Sequence, residues 1–193
     1  VVLIVGASIP LFSSALHVPT SDLLFVVYLL ALGTFFLALA GMDVGSAFGG
    51  FGSSREMTLS AVAEGSLIFS VLPLVIFSGT TNLTTIASGV AGEYGQVLLP
   101  VLLAFTAFLA VLLAETKRFP FDNPDTHLEL TMVHEAMLLE YSGKRLALME
   151  WAAACKLFIF AALAVNLFFP VGLAHNTEPS AMLFGLGTLL AGV

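Results

Sequence analysis

The chain has 193 residues, of which 59% are hydrophobic and only 10% charged, with a mean hydropathy of +1.04. A soluble globular domain is excluded, because a core of this size cannot hide so much apolar surface from water. Thirteen acidic against six basic residues give a formal charge of −7, which excludes a basic stripe and with it a nucleic-acid partner, and the lone Cys155 excludes an internal disulfide framework or multi-cysteine metal site.

In chain order, apolar stretches run over 1–16, 22–42, 57–78, 96–114, 145–172 and 180–193. Each complete stretch has the length that a helix rising about 1.5 Å per residue needs to cross about 30 Å of hydrocarbon. The predicted fold is therefore all-α: one integral membrane domain of about six transmembrane helices embedded in the lipid bilayer. The chain opens on Val1 and closes within the apolar run at Leu190 to Val193, which reads as a fragment with its first and last spans cut short. Pro10, Pro73 and Pro100 fall inside spans, where proline kinks a helix or sits in its first turn. Strand alternation is absent, which argues against a transmembrane barrel.

The glycine-rich segment 41–56 reads as a flexible connector with Arg55 and Glu56 at the membrane surface, since neither a nucleotide-binding glycine pattern nor a P-loop lysine is present. Loop charge sets an orientation, because basic residues collect in short cytoplasmic loops. Arg55 lies in the loop 43–56, and Lys117, Arg118, Lys144 and Arg145 lie in or beside the loop 115–145, whereas the alternate loops carry no Lys or Arg. Both basic loops are expected to face the cytoplasm of a prokaryotic cell, with the chain multi-pass in its inner membrane.

The 115–145 loop is dense in acids, among them Glu115, Asp122, Asp125, Glu129, Glu135 and Glu140. If 128–141 is helical, Glu129 and Glu140 project on nearly the same face while Glu135 points elsewhere. Two carboxylates so placed can pass protons; the alternative is a solvated loop. His134-Glu135 resembles the start of a zinc-protease pattern, but position 138 is Leu138, and His127 with His134 lack a third ligand, so no metal site is expected. Within the spans stand Glu64, Glu150 and Lys156, and an intramembrane charge is costly unless paired or facing a wet interior. Glu150 and Lys156 are out of register on one helix, so their partners must come from other helices.

The segment Ala114-Glu115-Thr116-Lys117-Arg118-Phe119-Pro120-Phe121-Asp122 resembles the Ala-Glu-Thr-x-Arg-x-Pro-Phe-Asp loop of the respiratory complex I subunit 1 family. The continuation Asn123 to Met132, with His134-Glu135-Ala136-Met137 and Glu140-Tyr141-Ser142-Gly143, is similar to one branch of that family: the membrane anchors of energy-converting group 4 [NiFe] hydrogenases, of the formate hydrogenlyase subunit 4 or hydrogenase-4 component C type. Gly45 to Gly50 and Gly52 to Met57 are similar to that branch too. Quinone-reactive members more often read Asn-Arg-Ala-Pro where this chain has Lys117-Arg118-Phe119-Pro120, and Asp-Leu-Pro where it has Asp122-Asn123-Pro124. The family is longer, and its first span and neighbouring amphipathic helix are expected to lie outside this fragment.

The resemblance implies a non-catalytic subunit that docks a cytoplasmic [NiFe] and iron–sulfur arm and couples electron transfer to proton or sodium translocation. It implies Glu64, with Arg55 leading into it, Glu115, Asp122, Glu129, Glu140 and Glu150 as acids of the ion path, to which the reading of the residues adds Glu135 and Lys156; Arg55, Glu56, Lys117, Arg118 and Asp125 are the expected docking surface. The [NiFe] centre and iron–sulfur clusters then belong to hydrogenase-like large and small subunits and iron–sulfur subunits, beside antiporter-like membrane subunits, and this chain binds no cofactor. The rival readings are a quinone-site subunit of a complex I-type NADH:quinone oxidoreductase, a secondary transporter, which requires repeated halves that the sequence lacks, and a passive anchor.

Overall fold

A computed structural model describes residues 22–92, 94–118, 121 and 133–169. Among them the chain is helical, apart from one isolated antiparallel bridge between Asp22 and Asn82. The helices are α1 (Leu23–Asp43), α2 (Ala47–Ser78), α3 (Leu83–Gly92), α4 (Tyr94–Glu115), α5 (His134–Leu138) and α6 (Gly143–Phe168). Of these, α1, α2, α4 and α6 are long and apolar enough to cross a membrane, so the chain is a multi-pass helical membrane protein. The predicted spans 1–16 and 180–193 lie outside the described residues.

Two elements differ from the sequence reading. The expected glycine-rich connector is mostly helix: α2 begins at Ala47, where the Ser46 hydroxyl accepts the Gly49 N–H at 3.1 Å, so the link from α1 is only 44–46. The stretch after Ser78, read from the sequence as a loop, contains α3, whose buried Leu83, Ile86, Ala87 and Val90 line one face.

Helix α2 is the hub, packing against α1, α3, α4 and α5. It meets α1 near both ends, with Leu23 N–H donating to the Thr81 carbonyl at 2.9 Å and the Ser53 hydroxyl to the Ala38 carbonyl at 2.9 Å. Pro73 of α2 and Pro100 of α4 both line an apolar groove of about 430 Å³ between the two helices.

The core joins α1, α2, α3, α4 and α6 through Val26, Leu30, Val71, Ile86, Phe108 and Phe160. The ring of Phe108 packs 5.3 Å from Phe168 and 6.2 Å from Phe160, closing α4 onto α6. At the far end from the basic loops, the Asp22 carboxylate accepts the Leu24 N–H at 2.8 Å and the Thr81 hydroxyl at 2.8 Å, both capping α1 and tying it to α2. Asp22→Ala removes both bonds and is expected to cost about 1–2 kcal/mol, read as a lower unfolding midpoint in detergent with unchanged helicity.

Candidate functional site

At the opposite end, the last residue of α4 is Glu115, which is 3% exposed. One of its carboxylate oxygens accepts from Lys156 Nζ of α6 at 2.7 Å. The same ammonium reaches the Thr34 hydroxyl of α1 at 3.2 Å, and that hydroxyl donates to the Leu30 carbonyl at 3.3 Å. Three helices therefore converge on one ion pair. The negative end of the α4 dipole falls on Glu115, so the Lys156 ammonium compensates both the burial of the pair and the dipole. The second oxygen, Oε1, is buried without a hydrogen-bond partner among the described residues.

Past Glu115 the chain closes α4 with a Schellman turn: Arg118 N–H bonds the Leu113 carbonyl at 3.0 Å and Lys117 adopts φ 54°. That left-handed position usually holds glycine, and a lysine there costs roughly 1–2 kcal/mol. What the turn achieves is to bring Lys117 back into the bundle. Its Nζ lies 3.0 Å from Glu56 Oε1 of α2, with the side chains 7% and 1% exposed, an ionic contact without hydrogen-bond alignment. Glu56 and Lys117, read from the sequence as docking residues at the membrane surface, thus sit paired inside the protein, because α2 starts ten residues earlier than expected and carries Glu56 under the end of α4.

The short helix α5 fills the gap between α1 and α2. Its Ala136 and Met137 rest against Gly41, Gly52 and Ser53, where a Cβ on Gly52 would stand 3.1 Å from both side chains and from the Val133 carbonyl. Tyr141 then donates its hydroxyl to the Ala40 carbonyl at 2.8 Å. Helix α5 ends at Leu138 and Glu140 lies exposed in the following turn, while Glu129, which would share its face if 128–141 were helical, lies outside the described residues.

Of the other residues singled out by sequence, Glu64 is half-buried on α2 and accepts the Ser60 hydroxyl at 2.8 Å. At the helical rise it stands roughly 25 Å along α2 from Ala47, deeper than a helix starting at Met57 would place it. Glu150 faces outward on α6, and Arg55 and Arg118 are exposed. Asp122, Asp125, His127 and Glu129 lie outside the described residues, and Glu135 is on α5. Thr34, Ser60 and Tyr141 were missed; a threonine within a leucine-rich span was the one available signal. Among the described residues no group of three His, Cys, Asp or Glu side chains is placed to hold a metal ion.

A multi-pass helical protein with charged pairs buried between its helices defines the class: a membrane protein built around internal ionisable groups. The family model described as NADH dehydrogenase matches residues 1–191, and the chain belongs to that family, in its complex I subunit 1-like form. It is 37% identical over 185 residues to hydrogenase-4 component C of Escherichia coli (strain K12), covering 95% of this chain and 58% of that protein. Formate hydrogenlyase subunit 4 of the same organism is 29% identical over 187 residues, covering 96% and 60%. An H-type subunit of the NADH-quinone oxidoreductase of Geobacter sulfurreducens is 32% identical over 188 residues, covering 97% and 54%. The chain thus spans somewhat over half the length of these relatives.

Proposed function

We propose that this chain is the membrane subunit of a hydrogenase-like oxidoreductase complex in a prokaryotic cytoplasmic membrane, anchoring a [NiFe] and iron–sulfur arm and coupling its electron transfer to proton or sodium movement. The observation that carries this reading is Glu115, 3% exposed and held by Lys156 between α4, α6 and α1. A buried carboxylate with one oxygen on a lysine and the other meeting no hydrogen-bond partner among the described residues offers a binding position for a proton or ion inside the bundle. A redox event in a docked arm changes the local field at that position.

In this reading Glu64, Glu115 and Lys156 form the inner part of the path, and Asp122, Glu129, Glu135, Glu140 and Glu150 its outer part. Arg55, Arg118 and Asp125 receive the arm. The hydrogenase-like large and small subunits, iron–sulfur subunits and antiporter-like subunits are its partners, and they carry the metal centres. The names of the two Escherichia coli relatives support this branch.

Glu115→Gln and Glu140→Gln variants are expected to assemble and retain electron transfer, yet to lose coupled ion transport measured in inverted membrane vesicles. Full transport in both sinks the proposal. The Geobacter relative supports a second reading, a quinone-site subunit. Mass spectrometry with metal analysis of the copurifying complex separates the two: nickel with a hydrogenase-like large subunit favours the first, whereas iron without nickel beside flavin and NADH-oxidising subunits favours the second.

A further inference from the structure

Glu56 and Lys117 repeat the build of Glu115 and Lys156. In each pair a nearly fully buried carboxylate sets one oxygen against a lysine from another segment, hydrogen-bonded for Lys156 and an unaligned ionic contact for Lys117, and its other oxygen, Glu56 Oε2 or Glu115 Oε1, meets no hydrogen-bond partner among the described residues. A lysine at a membrane boundary ordinarily snorkels to water along its flexible stem. Lys117 instead holds a left-handed backbone, which turns its side chain inward to a carboxylate that is 1% exposed. Other titratable groups on the elements packed against α2 at this end are Glu115 on α4, His134 and Glu135 on α5, and the exposed Asp43 on α1. Lys117 is the cation in contact with Glu56.

We propose that Glu56 is a second proton-exchanging carboxylate of the ion path and that Lys117 is the positioning residue that sets its charge. A proton from the aqueous boundary binds Oε2, giving a neutral carboxyl group while Lys117 keeps its own charge, and release of the same proton restores the ion pair. Both proton and charge balance, and no other reactant enters. Without its cation, a carboxylate in this setting is neutralised by a proton rather than left charged. The inference rests on the proposed function for its role in transport, but not for the chemistry of the pair.

The test is infrared spectroscopy of the full complex in lipid at neutral pH, with Lys117→Met, Lys117→Arg and the double variant Glu56→Gln/Lys117→Met. Lys117→Met is expected to gain a deuterium-sensitive carboxylic acid carbonyl band that disappears in the double variant and is absent from Lys117→Arg. A folded Lys117→Met complex without that band overturns the inference. Glu56→Gln removes the buried carboxylate and leaves Lys117, whose flexible stem can carry its ammonium to water, so it keeps the test open if Lys117→Met does not assemble. Its coupled transport is expected to fall at least about tenfold with electron transfer retained. Unchanged transport in Glu56→Gln overturns the assignment. Lost transport in Glu56→Gln beside full transport in Glu115→Gln supports it and removes Glu115 from the path.

Discussion

Replacing Lys156 with Met is expected to destabilise the protein by about 3–4 kcal/mol, because it leaves a buried carboxylate without its cation. Glu115 is 3% exposed and Lys156 17%, so the lysine is the partner nearer solvent and the acid carries most of the cost once the pair is broken. The α4 dipole adds to that cost, since Glu115 is the last residue of the helix and meets its negative end. Loss of the ammonium also leaves the Thr34 hydroxyl without the donor it receives at 3.2 Å. The double variant Lys156→Met/Glu115→Leu replaces the pair with apolar groups of similar volume and should recover most of the stability, as apolar replacements of buried ion pairs often do. Thermal unfolding of the purified complex in detergent reads both effects. A loss below about 1 kcal/mol in Lys156→Met means that water already solvates the pair, as at exposed ion pairs. Transport makes the comparison informative: the double variant should regain most of the parent's stability and still be uncoupled, which separates what the pair does for the fold from what it does for the ion.

The spans were legible because hydrocarbon imposes a length and forbids unpaired backbone, so runs such as Leu23 to Asp43 have little choice but helix. The start of α2 was not legible. Glycine has low helix propensity, and Gly49, Gly50 and Gly52 read as connector until the packing of this segment against α1 and α5 is known. Helix α3 was hidden for a related reason, since its threonines, serine and glycines mask a four-residue apolar face. At the site, cost alone picked out the intramembrane Lys156 and Glu64, and resemblance added Glu115, but neither showed which acid meets which lysine. Glu56 and Lys117 are far apart in sequence and meet only through the path α2 takes beneath α4. The turn after α5 is followed by the Tyr141 bond to Ala40 across the fold, a contact that no local pattern announces.

Gly49→Ala is expected to disrupt the crossing of α1 and α2 although it adds only one methyl group. A Cβ at this position falls inside contact distance of the Gly41 carbonyl oxygen, which is backbone and cannot rotate aside, and also meets the Ser46 hydroxyl that caps α2. Helices in lipid associate through close approach of small residues rather than through a hydrophobic driving force, so separating them forfeits packing that nothing else restores. The expected cost is about 1–3 kcal/mol, in the range of overpacked sites. The same substitution at Gly50 or Gly65, where a Cβ meets open space, should be neutral or stabilising by up to about 1 kcal/mol, because alanine favours helix. Unfolding midpoints of the three variants decide the matter, and equal values would refute the close-packed crossing. The consequence extends to the charges. Gly41 and Ser53 also seat Met137 of α5, and the Ser53 hydroxyl holds the Ala38 carbonyl one turn from Thr34. A helix pushed away at Gly49 therefore shifts Thr34 relative to Lys156 and Glu56 relative to Lys117. Gly49→Ala should lower coupled transport together with stability, whereas Lys156→Met/Glu115→Leu lowers transport while keeping most of the stability.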